Sequence, residues 1–176
     1  MRIIHSARLS TRHIKATRAL HRYSTASCAS RPTDYSIGSV FAYADGACRG
    51  NPGRSGCGAL LLDPLTGRVL ASDTKYIGDQ ESNNEAEYHG LMLALQLAQK
   101  HQATHVRVFM DSQLVVRQMQ GLYRVKAANL RILHQQCKKL SAALPHVAFT
   151  QIAREENVAA DRLANEAIDD YFAVVK

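Results

Sequence analysis

The chain has 176 residues, 46% of them hydrophobic, and a formal net charge of +7. This length fits one domain of ordinary size. No apolar run approaches the roughly 20 residues of a membrane-spanning helix, so we expect no membrane association. The positive charge is concentrated at the start. Residues 1–23 hold six of the 22 basic residues and none of the 15 acidic ones, which leaves the remainder nearly neutral.

Residues 1–23 are rich in Arg, Ser, Thr and His, and their isoleucines share one face of a helical wheel. This composition is typical of an organellar transit peptide, and we expect mitochondrial rather than plastid or dual nuclear targeting. A disordered basic arm that binds nucleic acid non-specifically is the open alternative. The small, polar residues 24–37 are predicted to form a flexible linker, and the folded domain is predicted to span residues 38–172.

The first half of this domain has the alternating pattern of β-strands. Strands are predicted at 40–44, 57–62 and 68–77, which would form an antiparallel meander. The glycine-rich stretch 46–56 is predicted to turn, and 63–67 has Pro and Gly where a hairpin turn needs them. Helical spacing then begins, and Asn83 or Asn84 is predicted to be the N-cap.

The second half alternates strands with helices. A strand is predicted at 106–110, helices at 112–120 and 127–141 separated by Gly121, a strand at 144–152, and a helix at 158–171 capped by Asn157. The order β-β-β-α-β-α-α-β-α predicts an α/β fold, in which a mixed five-stranded sheet is flanked by helices on both faces.

Four acidic residues stand in apolar segments where an isolated carboxylate is costly. Asp45 and Asp111 follow two predicted strands, whereas Glu87 and Asp161 lie on the inner faces of two predicted helices. Converging carboxylates repel one another, and a divalent cation is the usual remedy. Taken singly, Asp111 could instead cap the next helix, Glu87 could favour a helix N-terminus, and Asp161 could lie at the rim of its helix.

Each of these acids lies within a longer polar motif. The four motifs are YADGACRGNPG at 43–53, SNNEAEY at 82–88, FMDSQLV at 109–115 and REENVAADRLA at 154–164. Together they closely resemble type 1 ribonuclease H over residues 40–169. The segment GLYRVK at 121–126 is similar to the branch of that family found in archaea, some bacteria and plants. The resemblance implies an RNase H-like fold, with residues 38–172 as the catalytic domain.

The resemblance also implies the reaction and its cofactor. We expect hydrolysis of the RNA strand of RNA–DNA hybrids, leaving 5′-phosphate and 3′-hydroxyl ends. Two Mg²⁺ ions are expected, with Mn²⁺ as a substitute, held by Asp45, Glu87, Asp111 and Asp161. Asp45 would contact both ions, Glu87 and Asp111 would complete the leaving-group site, and Asp161 would help hold the ion that activates water. Double-stranded RNA is a further candidate substrate, and a monomer is expected.

A second group of residues matches the substrate contacts of the family. The group implied by the resemblance is Gly50, Asn51, Ser82, Asn83, Asn84, Gln113 and Asn157. Backbone and amide groups at these positions could read the 2′-hydroxyl, which both donates and accepts hydrogen bonds. An ordinary tight turn at Gly50 and Asn51, and a helix cap at Asn83, are the structural alternatives.

The chain departs from the family pattern before the last helix. Arg154 stands where many relatives carry a mobile histidine and is the expected catalytic replacement for it. Because arginine stays protonated, it can stabilise charge or bind the phosphate but cannot act as a general base. A surface salt bridge with Glu155 or Glu156 is its alternative role. The chain has no tryptophan, so we expect no full basic protrusion, and its leader is too short for us to expect an N-terminal hybrid-binding domain. We therefore expect weak, salt-dependent binding.

Two further interpretations concern the thiols and the class of protein. The four cysteines, Cys28, Cys48, Cys57 and Cys137, form no CxxC pair and no cluster with zinc spacing, and are predicted to be reduced thiols. A catalytically silent nucleic-acid-binding module of the same fold, and a ribonuclease H domain derived from a retroelement, are the alternatives to an active enzyme. The intact set of four acids argues against the silent module.

Overall fold

A computed structural model describes residues 38–174 of the chain. The predicted transit peptide and linker, residues 1–37, lie outside this range. The strands are β1 Ser39–Gly50, β2 Gly53–Leu62, β3 Val69–Glu81, β4 His105–Met110 and β5 His146–Gln151. The helices are α1 Asn83–Lys100, α2 Gln113–Met119, α3 Ala128–Ala142 and α4 Val158–Val174, and a 3₁₀ turn at Arg154–Glu156 precedes α4. Within this range, no helix combines the length and apolarity that crossing a membrane requires.

The five strands form one mixed sheet in the order β3-β2-β1-β4-β5. The neighbours β1–β2 and β2–β3 are antiparallel, and β1–β4 and β4–β5 are parallel. The predicted α/β architecture is therefore confirmed. The parallel pairs require crossover connections, and helices α1 to α3 supply them.

Helices cover both faces of the sheet. On one face, Ala59 and Leu61 of β2 belong to the same buried cluster as Leu91 and Leu95 of α1. Alternate residues of β2 point to the opposite face, where a methyl group added at Gly58 would meet Leu163 and Ala164 of α4. Both faces are thus packed, and only strand ends and edges are left for a site.

The prediction that residues 46–56 turn was wrong. β1 runs on to Gly50 and β2 starts at Gly53, so only two residues connect them. The glycines that suggested a turn serve packing instead, because a side chain at Gly46 would collide with the backbone of α1 and one at Gly56 would meet α4. Gly50 is the exception: its φ of +103° is the left-handed conformation that favours glycine.

Ser82, rather than Asn83 or Asn84, caps α1. Its hydroxyl accepts a hydrogen bond from the N–H of Glu85 at 3.3 Å, and a carboxylate oxygen of Glu85 accepts one from the N–H of Ser82 at 2.8 Å. This capping box satisfies two donors reciprocally, which an asparagine one residue later would not do. The remaining predicted boundaries differ by up to four residues, as where α4 continues to Val174 instead of ending at Tyr171.

The cysteines within the described range are free. Cys57 and Cys137 are buried and Cys48 is half-buried, in agreement with reduced thiols. Burial raises the pKa of both Cys57 and Cys137 to about 12, so neither is a reactive thiolate at neutral pH. Cys28 lies outside the described residues.

Candidate active site

Asp45 and Asp111 lie where two parallel strands separate. The pairing of β1 with β4 ends at Tyr43 and Phe109, two residues before each aspartate. Asp45 is still paired with β2 and is 5% exposed, whereas Asp111 begins the connection from β4 to α2. Diverging ends of neighbouring parallel strands form a crevice into which side chains from both can point.

Glu87, the fifth residue of α1, reaches the same crevice. The helix approaches β1 unusually closely, since a methyl group added at Gly90 would collide with the backbone of Asp45, and one at Gly46 with that of Glu87. As a result, carboxylate oxygens of Asp45, Glu87 and Asp111 lie within 4.8 Å of one another. We call these three residues the carboxylate cluster.

The carboxylate cluster is electrostatically unfavourable as it stands. Burial, followed by the charge of Asp111, raises the pKa of Asp45 to about 7, although the N–H of Gly46 donates to its Oδ1 at 2.8 Å and opposes the rise. Burial and the charges of Asp45 and Asp111 raise the pKa of Glu87 well above its usual value. One oxygen of Glu87, Oε2, is buried without a hydrogen-bond partner among the described residues.

Asp161 stands beside the carboxylate cluster rather than in it. Its charge contributes to the raised pKa of Asp45, but it is not among the three acids whose oxygens lie within 4.8 Å. A guanidinium nitrogen of Arg154 donates to its Oδ1 at 3.2 Å. Among the described residues Arg154 thus pairs with Asp161 and not with Glu155 or Glu156, the alternative considered above. Glu156 accepts a hydrogen bond from the N–H of Ala153.

Asn157 stands directly before α4, as predicted, but its side chain is directed to other partners. It is 1% exposed, so it cannot touch a substrate in this structure. Asn157 does occupy the N-cap position, since its backbone carbonyl accepts from the N–H groups of Ala160 and Asp161 at 3.0 Å. Its side-chain oxygen, however, has no hydrogen-bond partner among the described residues, so the side chain does not cap α4. Its Nδ2 instead donates to the carbonyl of Ala44 at 3.0 Å and to Oδ1 of Asp111 at 3.1 Å.

The other predicted substrate positions lie at the β1–β2 turn and at the starts of α1 and α2. Gly50 and Asn51 lie at the β1–β2 turn, and the Oδ1 of Asn51 accepts a hydrogen bond from the N–H of Asn83 at 3.2 Å. This bond ties the turn to the start of α1. Asn84 and Gln113 are exposed at the starts of α1 and α2. Ser82 is half-buried, and its hydroxyl serves the capping box.

Sequence reasoning missed a charge asymmetry within the domain. Residues 112–154 contain no acidic residue, and their basic residues are Arg117, Arg124, Lys126, Arg131, Lys138, Lys139 and Arg154. The nearly neutral total had hidden this stretch, although the absence of acids is visible in the sequence. Asn129 of α3 donates to a carboxylate oxygen of Glu85 at 2.8 Å. The start of α3, which belongs to this basic stretch, therefore lies beside the first turn of α1.

The carboxylate cluster suits a hard divalent cation. It offers only oxygen donors, which is the ligand type that Mg²⁺ prefers, and it includes a buried oxygen to which no residue in the range 38–174 donates. A positive charge between the three carboxylates would remove the repulsion that raises the pKa of Asp45 and Glu87. Histidine and cysteine are absent from this group of ligands, which disfavours zinc.

A mixed sheet whose diverging strands present clustered carboxylates defines the class of ribonuclease H-like proteins. A profile of the family described as reverse transcriptase-like matches residues 43–167, more than half of the chain. Ribonuclease H of Methylococcus capsulatus is 32% identical over 146 residues, which cover 74% of this chain and 90% of that protein. The chain belongs to the type 1 ribonuclease H family.

Other relatives are longer than this chain or have been solved with a ligand. The bifunctional protein Rv2228c of Mycobacterium tuberculosis is 43% identical over 126 residues, 72% of this chain but 34% of its own length, so the chain spans about a third of that relative. LC11-RNase H1, solved in complex with an RNA/DNA hybrid, is 39% identical with a TM-score of 0.71, and the match covers 76% of this chain and 99% of that one.

Proposed function

We propose that this protein is a metal-dependent endoribonuclease that hydrolyses the RNA strand of RNA–DNA hybrids, leaving 5′-phosphate and 3′-hydroxyl ends. The observation that carries the proposal is the convergence of Asp45, Glu87 and Asp111 within 4.8 Å, with a buried Glu87 oxygen that lacks a partner among the described residues. The similarity to LC11-RNase H1, which was solved with a hybrid, supports the substrate class.

The chain's carboxylates would hold two Mg²⁺ ions, or Mn²⁺ in their place. When bound, a pair of such ions supplies an activated water and stabilises the leaving oxygen. Asp45 would be shared between the two, with Glu87 and Asp111 on the leaving-group side and Asp161 on the water side. The bond from the N–H of Gly46 fixes one oxygen of Asp45, which orients its carboxylate toward the crevice.

Arg154 would neutralise charge beside the cation site. Its side chain is 77% exposed and pairs with Asp161, so it is free to move when Asp161 takes another partner. A guanidinium binds phosphate well but does not give up its proton at neutral pH. We therefore assign Arg154 to contact with a substrate phosphate and not to proton transfer.

Two groups of residues would each contact one strand of the hybrid. The exposed backbone at Gly50 and Asn51, with the amides of Asn84 and Gln113, would read the 2′-hydroxyl of the RNA strand. Ser82 and Asn83 would contact the DNA strand near a phosphate. The bond between Asn51 and Asn83 supports this division, because it keeps the two sets of contacts at a fixed separation.

Residues 112–154 would attract the phosphate backbone of the duplex. Their side chains carry only positive charge, and binding that depends on such contacts weakens as salt concentration rises. Because backbone contacts do not identify the strand, we also propose cleavage of double-stranded RNA at a lower rate. Nothing in this division requires a second copy of the chain, and we propose a monomer.

Cleavage of a hybrid labelled on either strand tests the proposal. With Mg²⁺, the full-length chain should shorten the RNA strand and leave the DNA strand intact, and the products should carry a 5′-phosphate. Asp45→Asn should reduce the rate roughly 100-fold or more, as for other groups that stabilise charge in a transition state. A parent protein that binds the hybrid but leaves both strands intact would favour the silent binding module.

The mitochondrial location is a separate proposal. It rests on the acid-free, arginine-rich composition of residues 1–23, which is typical of a transit peptide. A fluorescent reporter fused behind residues 1–36 should enter mitochondria. A diffuse cytosolic signal would contradict this location, and a signal in plastids or in the nucleus would replace it.

A further inference from the structure

Asn157 is a neutral amide buried among the segments that carry the acidic residues. Its side chain is enclosed between β1, the residues after β4 and the start of α4, and it is 1% exposed. Its Nδ2 donates to the carbonyl of Ala44 at 3.0 Å and to Oδ1 of Asp111 at 3.1 Å. A substrate contact would need an accessible polar atom, and this side chain offers none.

These two hydrogen bonds link the segments of three acidic residues. Ala44 directly precedes Asp45 in β1, and Asp111 is bonded itself. The backbone carbonyl of Asn157 accepts from the N–H of Asp161 at 3.0 Å in the first turn of α4. One residue thus connects Asp45, Asp111 and Asp161, which lie on three separate elements of the fold.

An amide is well suited to this place because it donates two hydrogen bonds without adding charge. Alanine here would leave the carbonyl of Ala44 and one oxygen of Asp111 without this donor. A lysine or arginine would compete with a cation for the same carboxylates. Partners that orient a ligating carboxylate often change metal affinity by about 10–100-fold when they are removed.

We propose that Asn157 is a positioning residue, which fixes the carboxylate of Asp111 and the start of α4 so that Asp111 and Asp161 face Asp45 in the arrangement that a divalent cation requires. This inference rests on the proposed function, since it assumes that these acids hold the cation. It differs from a substrate-binding role for Asn157 in predicting an effect on cation affinity in the absence of any nucleic acid.

Calorimetric titration of the full-length chain with Mg²⁺ alone tests the inference. Asn157→Ala should weaken Mg²⁺ binding about tenfold or more, and Asn157→Ser, which keeps one donor, should lie between Ala and the parent. In cleavage of the hybrid, Asn157→Ala should have a lower kcat than the parent at low Mg²⁺ and a kcat close to that of the parent at high Mg²⁺. The KM for the hybrid should be the same in both proteins. If Asn157→Ala fails to fold, the Asn157→Ser titration decides the question in the same way.

Gln118→Ala is the matched control. Gln118 is also a buried amide, 5% exposed, but it bonds the hydroxyl of Tyr88 between helices, outside the carboxylate cluster. Its loss should lower the melting temperature without changing Mg²⁺ affinity. Equal Mg²⁺ affinity in the parent, Asn157→Ala and Asn157→Ser, or a raised KM with unchanged Mg²⁺ affinity, would overturn the inference. A parent that binds Mg²⁺ but does not cut the hybrid would overturn the proposed function alone.

Discussion

Glu85 and Glu87 lie two residues apart at the start of α1, and their surroundings have opposite effects on them. Glu85 accepts hydrogen bonds from the backbone and hydroxyl of Ser82 and from Asn129. Partial burial alone would raise its pKa, but these donors outweigh burial and lower it. Glu87 has an oxygen without a donor among the described residues, and burial and two neighbouring carboxylates raise its pKa.

The difference separates a carboxylate that stabilises the fold from one that needs a ligand. The charge of Glu85 is stabilised by hydrogen bonds from the chain itself, and this side chain needs no ligand. Glu87 lacks such hydrogen bonds to one of its oxygens among the described residues. Burial of its charge is therefore unfavourable until a cation is bound. A polar group that the fold leaves unsatisfied in a cleft is a better guide to function than acidity alone.

Replacing each glutamate by glutamine should give the largest contrast. Glu87→Gln should lower hybrid cleavage roughly 100-fold or more, because a ligand for the cation is lost, and it should stabilise the metal-free protein because a buried charge is removed. Glu85→Gln should cleave at nearly the parent rate. Rates with a labelled hybrid at saturating Mg²⁺ check both variants, and equal losses in the two would contradict the distinction.

The stability of the metal-free protein should fall as pH rises. The folded-state pKa of Asp45 is raised to about 7, well above the roughly 3.9 of an unfolded aspartate. The contribution of Asp45 to the free energy of unfolding is therefore fully present below about pH 4 and is lost as pH rises through about 7. Burial of Glu87 acts in the same direction. Urea unfolding in EDTA should give a free energy of unfolding a few kcal/mol lower at pH 8 than at pH 5.

Two comparisons identify the source of this pH dependence. Asp45→Asn should flatten the slope between pH 5 and 8, whereas Asp170→Asn, at an exposed position of α4, should leave it as in the parent. Saturating Mg²⁺ should remove most of the slope, because a cation stabilises the charged carboxylates. A metal-free protein whose stability rises over this range would show that the carboxylates remain charged without cost.

Tyr88, the next residue after Glu87, tests the opposite case of a fully satisfied buried polar group. Its hydroxyl donates to Oε1 of Gln118 at 2.7 Å, and neither residue is more than 5% exposed. Tyr88→Phe should reduce the free energy of unfolding by roughly 1–3 kcal/mol, since the Gln118 oxygen is left without this donor. Chemical denaturation measures the loss, and cleavage by the folded fraction should match that of the parent.

The carboxylate cluster was predictable from the sequence for a physical reason. Asp45 and Asp111 each directly follow an apolar run of residues in a strand, and Glu87 keeps a fixed phase with the apolar residues of its helix. Strand order and helix phase therefore limit where these side chains can meet. The motifs that resemble ribonuclease H added the order of the elements. The element types followed from hydrophobic period, which changes from two to 3.6 where β3 gives way to α1.

Tertiary contacts account for what the sequence did not reveal. Gly46 and Gly56 read as turn residues, because local propensity cannot show that a helix will pack directly on a strand at that point. For the same reason, the sequence predicted a helix cap at Asn157 and could not show the actual partners of its side chain. These partners, Ala44 and Asp111, are distant in sequence. The Ser82–Glu85 cap, by contrast, is a local pattern that was available and was missed in favour of the following asparagines.

Loss of the hydrogen bond from Asn129 to Glu85 should have the smallest effect on stability. It tests whether the contacts from Ser82 are enough to hold Glu85 without α3. Asn129 is exposed, whereas the two contacts from Ser82 to Glu85 are partly buried. Asn129→Ala should therefore cost less than about 1 kcal/mol of unfolding free energy at pH 7. The lowered pKa of Glu85 implies that the loss is present at neutral pH and diminishes as Glu85 is protonated in acid.

Ser82→Ala is the reference for this last variant. Removing the cap hydroxyl should cost about 1 kcal/mol, more than Asn129→Ala, because it breaks the bond to the Glu85 N–H as well as one bond to its carboxylate. If Asn129→Ala proves the more destabilising of the two, α3 rather than the capping box sets the position of Glu85. The start of α1, and with it Glu87, would then depend on how the basic residues 112–154 pack beside it.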